Sequence, residues 1–369
     1  MLLRIVSAGV VLGFFLPAAW GETRTWTDQT GKLQVEAEYV GFSVNQVVLR
    51  RPLGDLVIVP VDELSRDDRR YVDEQVRQKQ ARDDALQHAA DPAAIHYGRG
   101  RQLAILANRA IDESSGIAAS RRAPGVFWTH NDSGDDARIF AFDTRGRDLG
   151  ACRLDGVDAY DWEDIASFTW NGKSYLLIGD TGNNGLAAAV QMLHVVEEPA
   201  IDPDRGVACG QLPVVQTIYF SYEDDHRNCE AVAVDPTDHT VVLATKERSG
   251  DCLIYALAWP EKQPKPTTAL IARRIASAKV PSVTGMDIAP DGRRAVLLTY
   301  LSAFEFTRAL NEPWSAAFSR PPREIAVPDR LQGESICYGA DGNTLYLTSE
   351  KLPTPLFEIP VKNDASAIR

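Results

Sequence analysis

Residues 229–245 read Cys229-Glu230-Ala231-Val232-Ala233-Val234-Asp235-Pro236-Thr237-Asp238-His239-Thr240-Val241-Val242-Leu243-Ala244-Thr245. Two apolar runs, rich in the β-branched valine that suits a pleated surface, flank a turn-forming Asp-Pro pair. The pattern is that of one hairpin: strand, tight turn, strand.

The same unit occurs four more times. Its first half returns as Glu113-Ser114-Ser115-Gly116-Ile117-Ala118, Trp162-Glu163-Asp164-Ile165-Ala166, Gly285-Met286-Asp287-Ile288-Ala289 and Gly333-Glu334-Ser335-Ile336-Cys337. The second half returns as Val126-Phe127-Trp128-Thr129-His130, Tyr175-Leu176-Leu177-Ile178-Gly179, Ala295-Val296-Leu297-Leu298-Thr299 and Leu345-Tyr346-Leu347-Thr348-Ser349. Successive copies lie 48, 67, 56 and 48 residues apart, counted between Ile117, Ile165, Val232, Ile288 and Ile336. Each interval holds two further strands, such as Arg138-Ile139-Phe140-Ala141-Phe142 and Gly150-Ala151-Cys152-Arg153-Leu154. Four strands in ~50 residues, repeated, predict a β-propeller. After the last copy only Leu356-Phe357-Glu358-Ile359 is left. Its missing outer strand is expected from Gln102-Leu103-Ala104-Ile105-Leu106-Ala107, ahead of the first copy. That closure gives five blades, with six as the alternative.

Upstream of the propeller, residues 25–64 alternate like short strands, as in Leu33-Gln34-Val35-Glu36-Ala37-Glu38-Tyr39-Val40, and suit a small barrel. From Asp67 to Ala90 the chain is charged, with Tyr71, Val72, Val76 and Leu86 as a thin apolar stripe, and Asp91-Pro92 is a stop signal. This reads as a solvated spacer helix. At the N-terminus, Arg4 precedes an apolar run from Ile5 to Ala19 and a small-residue exit at Gly21, the pattern of a secretory signal peptide. The expected organisation is a signal peptide over 1–21, a barrel over 22–66, a linker helix over 67–92 and a propeller over 93–369. The overall fold class is mainly β.

Composition narrows the function classes. The 369 residues carry 39 basic and 51 acidic side chains, a net charge of -12 that argues against nucleic acid as a partner. No later stretch is long and apolar enough to span a bilayer. Export predicts a secreted or periplasmic protein in which the five cysteines, Cys152, Cys209, Cys229, Cys252 and Cys337, have an oxidising environment. An odd count leaves at least one outside any internal disulfide, and the absence of a Cys-x-x-Cys pair makes a thiolate zinc site improbable.

Propeller strands alternate in direction, so the start of each inner strand and the end of the next lie on one face. The repeat therefore brings two sets of polar residues to one channel mouth. Strand starts supply Glu113, Glu163, Asp164, Glu230, Asp287 and Glu334, the candidate metal ligands. The following loops supply His130, Asn131, Asp132, Asp180, Asn183, Asn184 and Lys246, the candidate ligand-binding residues, with Tyr300 and Glu350 beside them. Carboxylates ~5 Å apart at an effective dielectric near 20 repel by about 3 kcal/mol per pair. Raised pKa values, a lysine such as Lys246, or a bound cation relieves this. An all-oxygen donor set favours calcium or magnesium over zinc. The competing reading is a wet channel whose acids cap backbone amides. A serine hydrolase is disfavoured, because no Gly-x-Ser-x-Gly elbow accompanies Ser114, Ser115 or Ser133.

Two resemblances attach to these motifs. The run Arg24-Thr25-Trp26-Thr27-Asp28, a glycine turn, the Val35 strand and the closing Val59-Pro60-Val61-Asp62-Glu63-Leu64-Ser65 resemble the SH3-like homology domain of endocytic adaptors. That resemblance implies recognition of short peptides. Trp128-Thr129-His130-Asn131-Asp132-Ser133-Gly134, Asp161-Trp162-Glu163-Asp164-Ile165-Ala166 and Ile178-Gly179-Asp180-Thr181-Gly182-Asn183-Asn184 resemble secreted propeller proteins of the esterase-like-phytase type. Some members of that group are calcium-dependent phosphate-ester hydrolases, which use clusters of Lys and Arg for substrate phosphates. Here only Lys246 and Arg248 are placed near the mouth. The expectation is a binding module for an extracytoplasmic protein, peptide or small molecule, with a metal-dependent ester or phosphate-ester hydrolase as the alternative.

Overall fold

The computed structural model describes residues 23–43, 45–52, 55–88, 95–202, 204–207, 210–247, 250–260 and 268–362. The expected signal peptide, Cys209, Arg248 and the Asp91-Pro92 stop lie outside the described residues.

Four antiparallel strands, Arg24–Thr27, Gln34–Ser43, Gln46–Arg50 and Leu56–Pro60, form the N-terminal module in sequential order. Alternation points Trp26, Ala37, Val47 and Leu49 to one side, where Leu64 and Val72 join them. Val72 belongs to the helix Arg66–His88, which is therefore not the solvated spacer that its charge suggests. Tyr71 meets the Trp26 ring edge-on at 5.6 Å, so this helix completes the core of the module. Its start is held by Ser65, whose hydroxyl accepts from the Asp68 amide at 3.2 Å and donates to Asp68 Oδ2 at 2.7 Å. Asp68 also accepts from Arg24 at 2.7 Å and from the Thr27 amide at 2.8 Å, tying helix to sheet. Farther along, Lys79 donates to the Val327 carbonyl and Arg82 to Ser302 Oγ, pinning the helix to the propeller.

Five four-stranded antiparallel blades follow. Their inner strands are Ser114–Ala119, Trp162–Trp170, Cys229–Val234, Gly285–Ile288 and Gln332–Tyr338, each beside the next and the last beside the first. The expected closure is present: Arg101–Ile105 pairs antiparallel with Pro355–Ile359, with Pro355 opposite Ile105. One blade is thus built from both ends of the propeller sequence, and five is the blade number. The long 67-residue interval is explained by an extra hairpin, Ile201–Asp202 with Gly206–Val207, inserted before the outer strand of the second blade.

The apolar core lies between blades. Trp128 and Trp162 are buried with Ile139, Ile165 and Ile178 where the first two blades meet. The Trp128 indole donates to Glu198 Oε1 at 3.0 Å, which supplies its buried N–H with a partner. Cys152 is disulfide-bonded, whereas Cys229, Cys252 and Cys337 are free thiols buried in the blades. Among the described residues no helix is long and apolar enough to cross a membrane.

The module sits on the propeller beside the channel mouth. Val40 and Val48 pack on Tyr300, with Leu56, Ile58 and Leu331 around them. Arg50 lies 5.4 Å from the Tyr300 ring centroid and donates to Ser282 Oγ.

Candidate binding site at the propeller mouth

A repeated backbone irregularity builds the site. Ladder register shifts between Ser114 and Gly116, Trp162 and Asp164, Cys229 and Ala231, and Gln332 and Ser335. A bulge leaves one extra residue outside the pairing and re-aims its side chain. The bulged positions include Ser115, Glu163, Glu230 and Glu334, which all line one cavity of about 530 Å³. The fourth blade pairs regularly from Gly285 to Ile288, and Met286 stands where the others place a polar residue.

Most of the acids have partners. Glu230 accepts from Lys246 Nζ and from Asn228 Nδ2, both at 2.8 Å. Glu334 accepts from the Tyr300 hydroxyl at 2.8 Å, although its Oε2 is buried without a partner. Glu350 accepts from Gln332 Nε2 at 2.8 Å, and Lys351 bridges Glu113 at 2.9 Å and Glu350 at 3.3 Å.

Glu163 is the exception. It is 4% exposed, lines the cavity, and its carboxylate accepts no hydrogen bond among the described residues. With Asp132 and Asp161 it forms a set of three carboxylates, one oxygen from each lying within 4.8 Å of the others. Gly182 makes room for them, since a Cβ there would fall well inside contact distance of Asp161 Oδ2 and Glu163 Oε1.

Burial and crowding raise these pKa values. Burial pushes Glu163 well above the carboxylate range, and Glu230 and Asp132 push it further. Asp161 rises to about 6 through burial and repulsion from Asp132, Glu230 and Asp180. Asp132 is raised mainly by burial. Burial takes Glu334 to about 8 and Glu350 to about 7. Lys246 stays charged: burial opposes the charge, but Glu230, Tyr300 and Glu334 more than offset it.

The remaining candidates are placed elsewhere. Asp164 is fully buried, away from the cavity, and accepts from the amides of Ile165 at 2.8 Å, Val232 at 3.0 Å and Met286 at 3.2 Å. Asp287 likewise accepts from the Ile288 and Tyr338 amides, both at 2.8 Å. These two candidate metal ligands cross-link inner strands instead. Asp164→Ala would leave the Val232 and Met286 amides without acceptors, at about 1–3 kcal/mol each. We expect denaturant unfolding to show a loss of roughly 3–5 kcal/mol that calcium does not change.

His130 is completely buried, and burial lowers its pKa to about 4. Its Nδ1 contacts the Asn131 carbonyl at 2.8 Å, and its ring packs edge-on to Trp162. Asn131 and Asn183 brace loops, donating to the carbonyls of Ala110 and Ala188. Asp180 accepts from the Asp161 amide at 2.9 Å and so positions the triad from behind. Asn184, Asp132, Lys246 and Glu113 do line the cavity.

Asp161, Gly182, Lys351 and the module residues Leu56 and Ile58 were not among the candidate site residues, whereas Tyr300 and Glu350, expected beside the mouth, do line it. Asp161 carried a signal, since it lies two positions before the bulged Glu163. Nothing local in the sequence places Leu56 and Ile58 at a mouth whose nearest other lining residue, Glu113, is more than fifty positions away.

Fold and site together define a five-bladed β-propeller with an acidic mouth, flanked by a small four-stranded module. Residues 17–80 match the family described as SLA1 homology domain 1, SHD1, which assigns the N-terminal module. No curated protein matches the chain. Among solved structures, it is similar to a chain of a nidogen/laminin complex, at 15% identity and a TM-score of 0.38, covering 65% of this chain and 73% of that one. It is also similar to the Dos1 propeller, at 8% identity and a TM-score of 0.32, covering 91% and 78% respectively. The propeller assignment rests on the strand pairing of the chain itself.

Proposed function

We propose that this is a secreted or periplasmic binding protein whose propeller mouth holds a divalent cation, calcium or magnesium, on Asp132, Asp161 and Glu163. The observation that carries the reading is the buried carboxylate of Glu163, without a hydrogen bond among the described residues, facing two further acids across the gap left by Gly182. Three hard oxygen donors with water completing the shell suit these cations. Export is supported by the N-terminal apolar run and by the disulfide at Cys152. The ligand presented to such a site is a protein, peptide or small molecule.

Binding is favoured over metal-dependent ester or phosphate-ester hydrolysis. Lys246 and Lys351, the two lysines lining the cavity, are already paired with glutamates and leave little positive charge for a phosphate. His130, sealed in the interior, is no general base for a mouth reaction.

Thermal unfolding of the purified mature chain, titrated with calcium against a chelator control, tests the reading. A cation that binds only the native state at 100 times its Kd stabilises by about 2.7 kcal/mol. We expect a saturable rise in Tm that Glu163→Gln abolishes. An unchanged Tm at millimolar calcium and magnesium would overturn the cation site.

A further inference from the structure

We infer that the mouth is a two-point socket for an aliphatic diamine or oligoamine, whose ammonium groups engage the Asp132–Asp161–Glu163 triad and the Glu334–Glu350 pair. The inference rests on the acidic-mouth reading above and goes beyond it by naming an organic ligand. An ion cannot fill a cavity of about 530 Å³, which falls in the size range of small-molecule sites.

The triad spans the first and second blades, with Asp132 after the strand Val126–Asn131 and Asp161 and Glu163 on the second, whereas Glu334 and Glu350 belong to the fifth; both groups line the one cavity. Each offers an acceptor on a side chain 4% exposed: Glu334 Oε2 is buried without a partner, and the Glu163 carboxylate, which faces the cavity, accepts no hydrogen bond among the described residues. Three oxygens each ~2.8 Å from a tetrahedral nitrogen lie ~4.6 Å apart, and the triad oxygens lie within 4.8 Å of one another. An ammonium group donates three hydrogen bonds and so matches that spacing.

The cavity already uses this chemistry internally. Lys246 places its ammonium on Glu230 at 2.8 Å and 5.4 Å from the Tyr300 ring centroid. The cavity walls are not purely polar. Leu56 and Ile58 of the N-terminal module line the cavity, and Tyr300 faces it from the propeller. An inorganic cation gains nothing from these groups, whereas a methylene chain buries against them. The module thus contributes specificity to the propeller's site in cis.

Calorimetric titration of the full mature chain with putrescine, spermidine and butylamine, in chelator-containing buffer, tests this. We expect one site for putrescine or spermidine, at least tenfold tighter than butylamine, and displacement by calcium. Glu163→Gln should abolish binding, while Glu334→Gln and Leu56→Ser should weaken putrescine tenfold or more and leave the calcium-induced Tm rise intact. Glu350→Gln replaces Glu334→Gln if the latter does not fold. Putrescine no tighter than butylamine would overturn the two-point socket. No amine binding alongside an intact calcium response would overturn the inference and leave the cation site standing. Silence toward both amines and divalent cations would remove both.

Discussion

Raising the pH from 5 to 8 in the presence of a chelator should lower the stability of this protein by several kcal/mol and lower its Tm with it. Asp161, Glu350 and Glu334 titrate in the folded chain at about 6, about 7 and about 8, with Glu163 also well above the usual range. In the unfolded chain the same carboxyls titrate near 4. The folded state therefore binds protons more tightly, its stability is fullest below the unfolded values, and it declines as each group ionises in place. Asp287, raised to about 6 by burial, adds to the same slope. On the acid side the sign reverses: His130, held neutral down to about 4 by burial, costs stability as pH falls below ~6.5. One histidine offsets only part of the gain from the raised carboxyls, so the metal-free optimum is expected at or below about pH 5. Saturating calcium should flatten the alkaline limb, because a bound cation replaces the protons and its affinity rises with pH. Differential scanning calorimetry across this range and below it, with and without calcium, measures both limbs. A chelated protein equally stable at pH 5 and 8 would show that the mouth acids are not crowded as described.

Gly182→Ala is expected to abolish the calcium response while leaving the fold intact. The added Cβ would meet Asp161 Oδ2 and Glu163 Oε1, the ends of two movable side chains rather than backbone. The carboxylates can swing aside at little cost to packing, but not while keeping their mutual spacing. A loss of 100-fold or more in calcium affinity, about 2.7 kcal/mol, should accompany a change of less than ~1 kcal/mol in chelator-measured stability. Relief of repulsion acts in the same direction, since separating the acids removes some of their Coulomb penalty. Chelator unfolding curves and calcium isotherms on the purified variant separate the two effects. Wild-type calcium affinity in this variant would place the cation elsewhere.

Most of the propeller was legible because its information is local and repeated. A valine-rich strand, a turn of the Asp235-Pro236 kind and a second strand specify a hairpin wherever they occur, and five occurrences count the blades. Even the closure by Arg101–Ile105 followed from arithmetic, since the last copy lacked an outer strand and the segment before the first copy had no partner. The helix Arg66–His88 was harder. Its charge concealed that Tyr71 and Val72 complete a core whose other half lies in the strands from Arg24 to Arg50.

The site divides along the same line. The column of the repeat brings Glu163, Glu230 and Glu334 to one mouth because equivalent residues in a ring share a face. Glu163 and Asp164 are neighbours in sequence yet do opposite things, and only the β-bulge between Trp162 and Asp164 turns the first into the cavity and leaves the second capping amides across the inner strands. A bulge is a property of how two strands register, so no single strand announces it. The placement of Leu56 and Ile58 over an acidic mouth depends likewise on packing between two separately encoded folds. Periodicity is written in the chain because each strand must bury one face, whereas the chemistry of the mouth arises from contacts between residues that the chain keeps far apart.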